Sequence, residues 1–317
     1  MSFRILGTGR RVPERVVTNG ELREFVDTSD DWITRRVGVR ERRVCTTETT
    51  AQLAYGAAAA ALEMSGTAPG ELDMILCATI SGDDVCPPVA CSVQGLLGAS
   101  CPAMDISAAC SGFMYALETA ACFFAGRDAQ KILVIGAERM SGLLDWSDRR
   151  TCVIFGDGAG AVVLGAGDGY LASRLTARGG DGLIKIPGRR GSSPFYEVET
   201  EMPYVRMNGQ ETYRFAVNSF CADVAGVIDL AGLTQNEITW VVPHQANIRI
   251  IEGAAKRLSI PPERFCSNID RYGNTSAASI PILLDEMNRD GRLKRDDIVA
   301  LCSFGGGLTS AACVIRW

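Results

Sequence analysis

Histidine is almost absent from this sequence. His244 is the single imidazole in 317 residues, so any chemistry that needs one must draw on it. That scarcity argues against a zinc site, because the twelve cysteines include no CxxC pair to complete a ligand set. No leader with a basic start and an apolar centre opens the chain. No apolar run approaches the ~20 residues that span a membrane. The expectation is a soluble cytoplasmic protein whose scattered cysteines are reduced thiols. An excess of positive charge is missing too, and the net charge of −5 speaks against nonspecific nucleic-acid binding. Gly7 and Gly9 begin a dinucleotide fingerprint, but the third glycine and the following helix pattern are lacking.

What is present is an ordinary globular composition, 47% apolar and 22% charged, enough for one large domain or two medium ones. Residues 3–9 read as an opening strand, and Thr18 or Asn19 as the cap of a first helix. Helical patterns cover Thr49 to Ser65, Val89 to Leu97, Tyr213 to Leu230 and Asn247 to Leu258, with a further helix ending at Asp290. Buried strands are expected around Leu72–Ile80, Lys131–Ala137 and Ile238–His244, with a closing pair from Ile298 to Trp317. Thr151 to Leu164 reads as two strands joined at a glycine-rich turn, and residues 165–205 as linker and loops. The segment from Ser29 to Arg43 mixes Trp32 with several arginines. It reads either as a solvated charged face or as a platform for a flat, anionic ligand.

The most informative stretch is Asp105-Ile-Ser-Ala-Ala-Cys110-Ser-Gly-Phe113, a short strand that hands over to a helix. A thiol near a helix N-terminus is favoured as thiolate by the dipole and the free N–H groups. Taken alone, in a chain with so many cysteines, Cys110 reads more readily as one more small core residue. The two halves echo each other, however. Ser107-Ala-Ala-Cys110 matches Ser276-Ala-Ala-Ser279, and Phe155-Gly-Asp-Gly158 matches Phe304-Gly-Gly-Gly307, in the same order. Duplicated α/β halves packed face to face would bring these turns to a shared centre. Cys110 would then meet His244, Asn274 and the Gly305-Gly-Gly307 turn, a set suited to acyl-thioester chemistry with an oxyanion hole.

Four motifs carry a family likeness: Ser-Ala-Ala-Cys110-Ser-Gly-Phe, Pro243-His244-Gln-Ala-Asn247-Ile-Arg249, Gly273-Asn274-Thr-Ser-Ala-Ala-Ser279 and Phe304-Gly-Gly-Gly-Leu-Thr. With Trp32-Ile-Thr-Arg-Arg36 and Ile154-Phe-Gly-Asp-Gly-Ala-Gly160, the chain resembles β-ketoacyl-acyl carrier protein synthase III nearly end to end. The resemblance implies an α/β thiolase-like fold, an α-β-α-β-α sandwich of two halves. Residues 1–170 would carry Cys110, and residues 171–317 would carry His244 and Asn274. It implies that Cys110 takes an acyl group from acyl-coenzyme A, that His244 and Asn274 stabilise the enolate from malonyl-acyl carrier protein, and that the N–H groups of Cys110 and Gly306 form the oxyanion hole. Trp32 and Arg149 would hold the adenine, with Thr28, Arg36 and Arg249 also on coenzyme A and Asn247 on the pantetheine arm. Arg214, Arg249, Lys256 and Arg257 form a basic patch that suits an acidic carrier protein. No metal and no cofactor beyond the acyl-coenzyme A substrate are implied, and the family is homodimeric. One departure stands at the acyl-pocket gate, where a bulky aromatic is common and this chain has Cys86. A smaller residue there favours primers beyond acetyl. The rival readings are a related condensing enzyme of secondary metabolism and a non-catalytic carrier-binding subunit.

Overall fold

The computed structural model describes residues 2–180, 182–188, 191–199 and 201–317. The first half runs through β1 (Ser2–Arg11), β2 (Val16–Thr18), α1 (Asn19–Leu22), α2 (Asp30–Arg36), β3 (Glu41–Arg43), α3 (Thr50–Ser65), β4 (Met74–Ala78), α4 (Val89–Leu97), β5 (Ala103–Ile106), α5 (Gly112–Gly126), β6 (Lys131–Arg139) and β7 (Asp157–Gly167). The second half has β8 (Tyr170–Gly180), β9 (Ile184–Lys185), β10 (Arg206–Met207), α6 (Gly209–Leu230), β11 (Trp240–Pro243), α7 (Ile248–Ala255), α8 (Ile269–Tyr272), α9 (Ser279–Arg289), β12 (Ile298–Gly305) and β13 (Gly307–Arg316). Among the described residues, no helix is long and apolar enough to cross a membrane.

Two sheets carry the molecule, in the orders β1-β7-β6-β4-β5 and β8-β13-β12-β11. The orders correspond strand for strand. Even the fifth position has a remnant in the second half, where Phe265 makes a parallel bridge to Val241. Helices α5 and α9 lie between the sheets. Phe113, Leu117, Ile280 and Leu284 pack there against Leu76 and Val134 of one sheet and Val242 and Leu301 of the other. Helix α3 covers the outer face of the first sheet, and α6 and α7 cover the second. The result is a layered α-β-α-β-α sandwich. Strand β4 is buried at every residue, which explains its unbroken Met-Ile-Leu-Cys-Ala run.

The alanines of α3 make sense against β1. Thr49 and Gln52 form its capping box, and Gly66 closes it in a left-handed conformation. Its inner face is Ala54, Ala57, Ala58 and Ala61, all fully buried. A Cβ on Gly9 would lie 2.2 Å from the Ala57 carbonyl oxygen, so the glycine lets helix and strand meet at backbone distance. The paired glycines at 7 and 9 therefore serve packing.

Three sequence expectations are corrected. The 165–205 region is not all loop, because β8 occupies eleven residues of it. As an outer strand, half-exposed and dotted with Arg174, Thr176 and Arg178, it carries no apolar run. Residues 151–164 hold one strand, not two: Cys152, Val153, Ile154 and Phe155 form a turn whose apolar side chains fill a cluster with Leu22, Ile33 and Val37. The internal repeat is real in topology but shifted. Ala109 at φ 48° and Ser276 at φ 49° each open a single turn of 3-10 helix before α5 and α9. Cys110 thus corresponds to Ala277, not to Ser279, two residues away from the lettered match.

Candidate active site

Each half lends its turn to the other half's sheet. The Ala109–Ser111 turn packs on the end of β12, where a Cβ on Gly305 would come 2.7 Å from the Cys110 nitrogen. The Ser276–Ala278 turn packs on β6, where a Cβ on Gly136 would come 2.3 Å from the Ala277 carbonyl oxygen. Two glycines in two sheets thus let both turns descend to backbone contact, and the turns meet at the centre. Thr309 ties the arrangement, its hydroxyl shared between the Ala108 carbonyl at 3.1 Å and the Gly306 carbonyl at 3.2 Å.

A cavity of about 210 Å³ opens at that meeting point, lined by Cys110, His244, Asn274, Gly305 and Gly306. Its walls are apolar, including Ile80, Met140, Phe155, Ile186 and Val205. The three residues predicted to be catalytic are therefore brought together, with the glycine turn of the predicted oxyanion hole beside them.

His244 follows β11 and is 2% exposed, its N–H bonded to the Cys302 carbonyl at 2.8 Å. The ring meets Phe304 edge-on at 5.5 Å. Nδ1 lies 2.7 Å from the Ser279 hydroxyl, which also accepts the Gln245 N–H at 3.3 Å. Among the described residues the Ser279 hydroxyl proton has no other acceptor than Nδ1. That pattern assigns the ring hydrogen to Nε2, which is left for the cavity. Burial pushes the imidazole down to about 3, so His244 is a neutral donor.

Asn274 is fixed just as firmly. Its backbone bridges Phe155 in parallel, and its side-chain oxygen accepts the Ser276 N–H at 2.8 Å. The amide NH2 remains as a second donor. Two neutral donors from the second half thus accompany the thiol from the first. Cys110 itself departs from expectation. Burial raises the thiol to about 12, against the pull of the neighbouring Ser276 side chain. Desolvation outweighs the helix end, and the resting group is a thiol rather than a thiolate.

The predicted coenzyme A residues gather at the mouth. Arg149 stacks over Trp32 at 5.3 Å and donates to the Asp27 carbonyl at 2.7 Å, beside the half-buried Thr28. Trp32, Arg36 and Arg249 share a cleft. Asn247 caps α7 through the Arg249 N–H at 2.9 Å and donates to the Arg36 carbonyl at 3.1 Å. Arg150 lines both the cavity and the cleft beside Arg149, joining mouth to centre. Of the basic patch, Arg249 lies over the cavity-lining Tyr213 at 5.7 Å, while Arg214, Lys256 and Arg257 are exposed on α6 and at the end of α7. Cys86 is exposed and lies outside the cavity of its own chain. The sequence reading missed Ser276 and Ser279 as site residues. Both were visible in the second Ser-Ala-Ala-Ser run, but only as markers of the repeat.

Comparison with known proteins gives a consistent picture. Residues 104–179 match the family model described as 3-oxoacyl-[acyl-carrier-protein] synthase III, and residues 228–317 match the model of its C-terminal part. The β-ketoacyl-[acyl-carrier-protein] synthase III of Clostridium acetobutylicum is 44% identical, over 100% of this chain and 99% of its own. The crystal structure of 3-oxoacyl-[acyl-carrier-protein] synthase III from Aquifex aeolicus superposes with a TM-score of 0.94 at 44% identity, covering 99% of this chain and 100% of that one. The priming β-ketosynthase of the R1128 polyketide pathway follows at a TM-score of 0.93 and 33% identity, covering 99% of this chain and 96% of that one.

Proposed function

The chain belongs to the 3-oxoacyl-[acyl-carrier-protein] synthase III family, and from that membership we propose that it condenses an acyl-coenzyme A primer with malonyl-acyl carrier protein. The products are a 3-oxoacyl-acyl carrier protein, coenzyme A and CO2, and the step starts a type II fatty-acid synthesis. The observation that carries the reading is the convergence of Cys110, His244 and Asn274 from two halves on one apolar cavity.

On this reading, residues 1–170 provide the nucleophile and residues 171–317 the donor pair. Cys110 sulfur attacks the primer thioester, whose oxygen is held by the N–H groups of Cys110 and Gly306, and the coenzyme A sulfur leaves. Malonyl-acyl carrier protein then enters. As CO2 departs, charge gathers on the thioester oxygen, where His244 Nε2–H and the Asn274 amide donate to it. The enolate carbon attacks the acyl-cysteine and Cys110 leaves as thiolate. Neutral donors fixed before the charge appears suit this step, since nothing must reorganise as it forms.

Binding assignments follow from the same reading. The adenine lies between Trp32 and Arg149, and Arg149 turns aside to admit it, because a 5.3 Å stack leaves no gap for a ring. Thr28, Arg36 and Arg249 contact the nucleotide end, and Asn247 the pantetheine arm. Arg214, Arg249, Lys256 and Arg257 receive the acidic carrier protein. The molecule works as a cytoplasmic homodimer. The outer position of β5 and the exposed Val85 and Met104 support an interface there. Cys86 then faces the partner's acyl pocket, and its small side chain admits primers longer than acetyl.

The test is intact mass after mixing the protein with acetyl-coenzyme A and, separately, a longer branched acyl-coenzyme A. An acyl increment on wild type that is absent in Cys110→Ala is the expected result. No increment with any primer on folded, reduced protein would overturn the reading.

A further inference from the structure

Loading leaves one proton without a destination. The thiol must lose it, yet His244 carries its ring hydrogen on the nitrogen that faces the cavity, and Ser279 occupies the other. A neutral ring so arranged donates and does not accept. The structure holds a second route, through Ser276. This residue opens the turn that packs against the nucleophile's turn, its side chain neighbours the Cys110 thiol, and its hydroxyl donates to Glu138 Oε1 at 3.0 Å.

Glu138 lies on β6 and is fully buried. Its other oxygen accepts the Ile80 N–H at 3.1 Å, the Thr79 hydroxyl at 3.3 Å and the Ser81 hydroxyl. Among the described residues no cation pairs with it. The titratable groups that face it are thiols, Cys77 on β4 and Cys110 itself. Arg139, next along the strand, points to the opposite face and pairs with Asp83 at 3.9 Å. A carboxylate so placed is held by neutral donors alone. Oε1 has Ser276 as its side-chain partner, and behind Ser276 stands the nucleophile.

We propose that Glu138 takes up the Cys110 proton through Ser276 as the acyl group is loaded. The S–H proton passes to the Ser276 oxygen while the Ser276 proton passes to Glu138 Oε1. The sulfur–acyl bond forms, the bond to coenzyme A sulfur breaks, and that thiolate takes its proton from solvent at the mouth. Glu138 is then neutral while negative charge builds on the nearby enolate. When Cys110 leaves as thiolate after condensation, the proton returns along the same path. Over the cycle one solvent proton is consumed, which balances the malonyl carboxylate lost as CO2. Burial raises the Glu138 carboxyl to about 7, within reach of both states in the working pH range.

The inference rests on the acyl-loading reading above, and its test separates the two. Single-turnover loading from acyl-coenzyme A is followed by quenched intact mass between pH 5.5 and 8.5, for wild type, Glu138→Gln, Glu138→Asp, Ser276→Ala and the Glu138→Gln/Ser276→Ala double variant. Wild type should slow as pH falls through about 7, because the acceptor must be ionised. Glu138→Gln and Ser276→Ala should each load roughly 100-fold more slowly near pH 7.5 and lose the neutral inflection, with Glu138→Asp between them and wild type. The double variant should lose no more than either single one, as parts of one relay do. Loading by either single variant within threefold of wild type, with the inflection intact, overturns the relay. If Glu138→Gln does not fold, Ser276→Ala, which keeps the carboxylate, decides alone. A wild type that loads no primer at all overturns the functional reading instead.

Discussion

Ser279 lies 2.7 Å from one nitrogen of His244 and accepts the Gln245 N–H, a pattern that directs its own proton to the ring. That single side chain decides which ring nitrogen carries hydrogen. Ser279→Ala frees the tautomer and should lower the condensation turnover about tenfold, the worth of one hydrogen bond, while loading stays as in wild type. A parallel fall in both half-reactions would show a packing defect instead. Removing the donors themselves is more severe. His244→Ala and Asn274→Ala should each cut malonyl decarboxylation by about 1000-fold, yet leave acyl loading within about tenfold of wild type. The two half-reactions, measured separately on the same protein, check this split. If His244→Ala abolished loading as well, the ring would be the thiol's base and its assignment as a fixed donor would fail.

At the scale of elements, the site depends on two glycines that let each turn rest on the opposite sheet. Gly305→Ala puts a Cβ 2.7 Å from the Cys110 nitrogen, and Gly136→Ala puts one 2.3 Å from the Ala277 carbonyl. Each should cost about 2 kcal/mol as overpacking, read as a fall in the urea midpoint. Their kinetic signatures should differ. Gly305→Ala shifts the nucleophile turn and should slow loading, whereas Gly136→Ala shifts the turn that carries Ser276 and holds Asn274, and should slow decarboxylation as well as loading. The same contrast explains what sequence could and could not tell. Most helices and strands were legible from their periodicity and caps. So were Cys110 at a strand-to-helix junction, His244 as the sole imidazole and Asn274 before a helix. The register of the repeat was not, because structure preserves a left-handed backbone at Ala109 and Ser276, and neither letter announces a positive φ. Strand β8 hid behind its polar outer face. Glu138 hid as the expected charged end of a strand, since only the packing of the second half's turn shows that it is covered.

For the whole molecule, the buried groups of the site set opposing demands on acid stability. His244 titrates near 3 when folded, against an ordinary 6.5. As pH falls through 6.5 the unfolded chain takes a proton that the folded chain refuses until about 3. Its contribution is therefore complete above 6.5 and is lost on acidification toward 3. Glu138 runs the other way, near 7 when folded against an ordinary 4.5. The folded chain keeps a proton that the unfolded chain releases, so this contribution is complete below 4.5 and is lost as pH rises through 7. Between 4.5 and 6.5 the two slopes, each of about one proton, oppose each other. Variants should uncover them separately. Relative to wild type, Glu138→Gln should lose stability on acidification across that window, and His244→Gln should gain it. Urea midpoints at several pH values, with the denaturant slope unchanged, make the comparison. Deviations of the same sign in both variants would mean that one of the two groups is not held in the protonation state that its burial dictates. Because the relay needs Glu138 near neutrality and the enolate needs His244 uncharged, such a result would count against the chemistry as well as the stability.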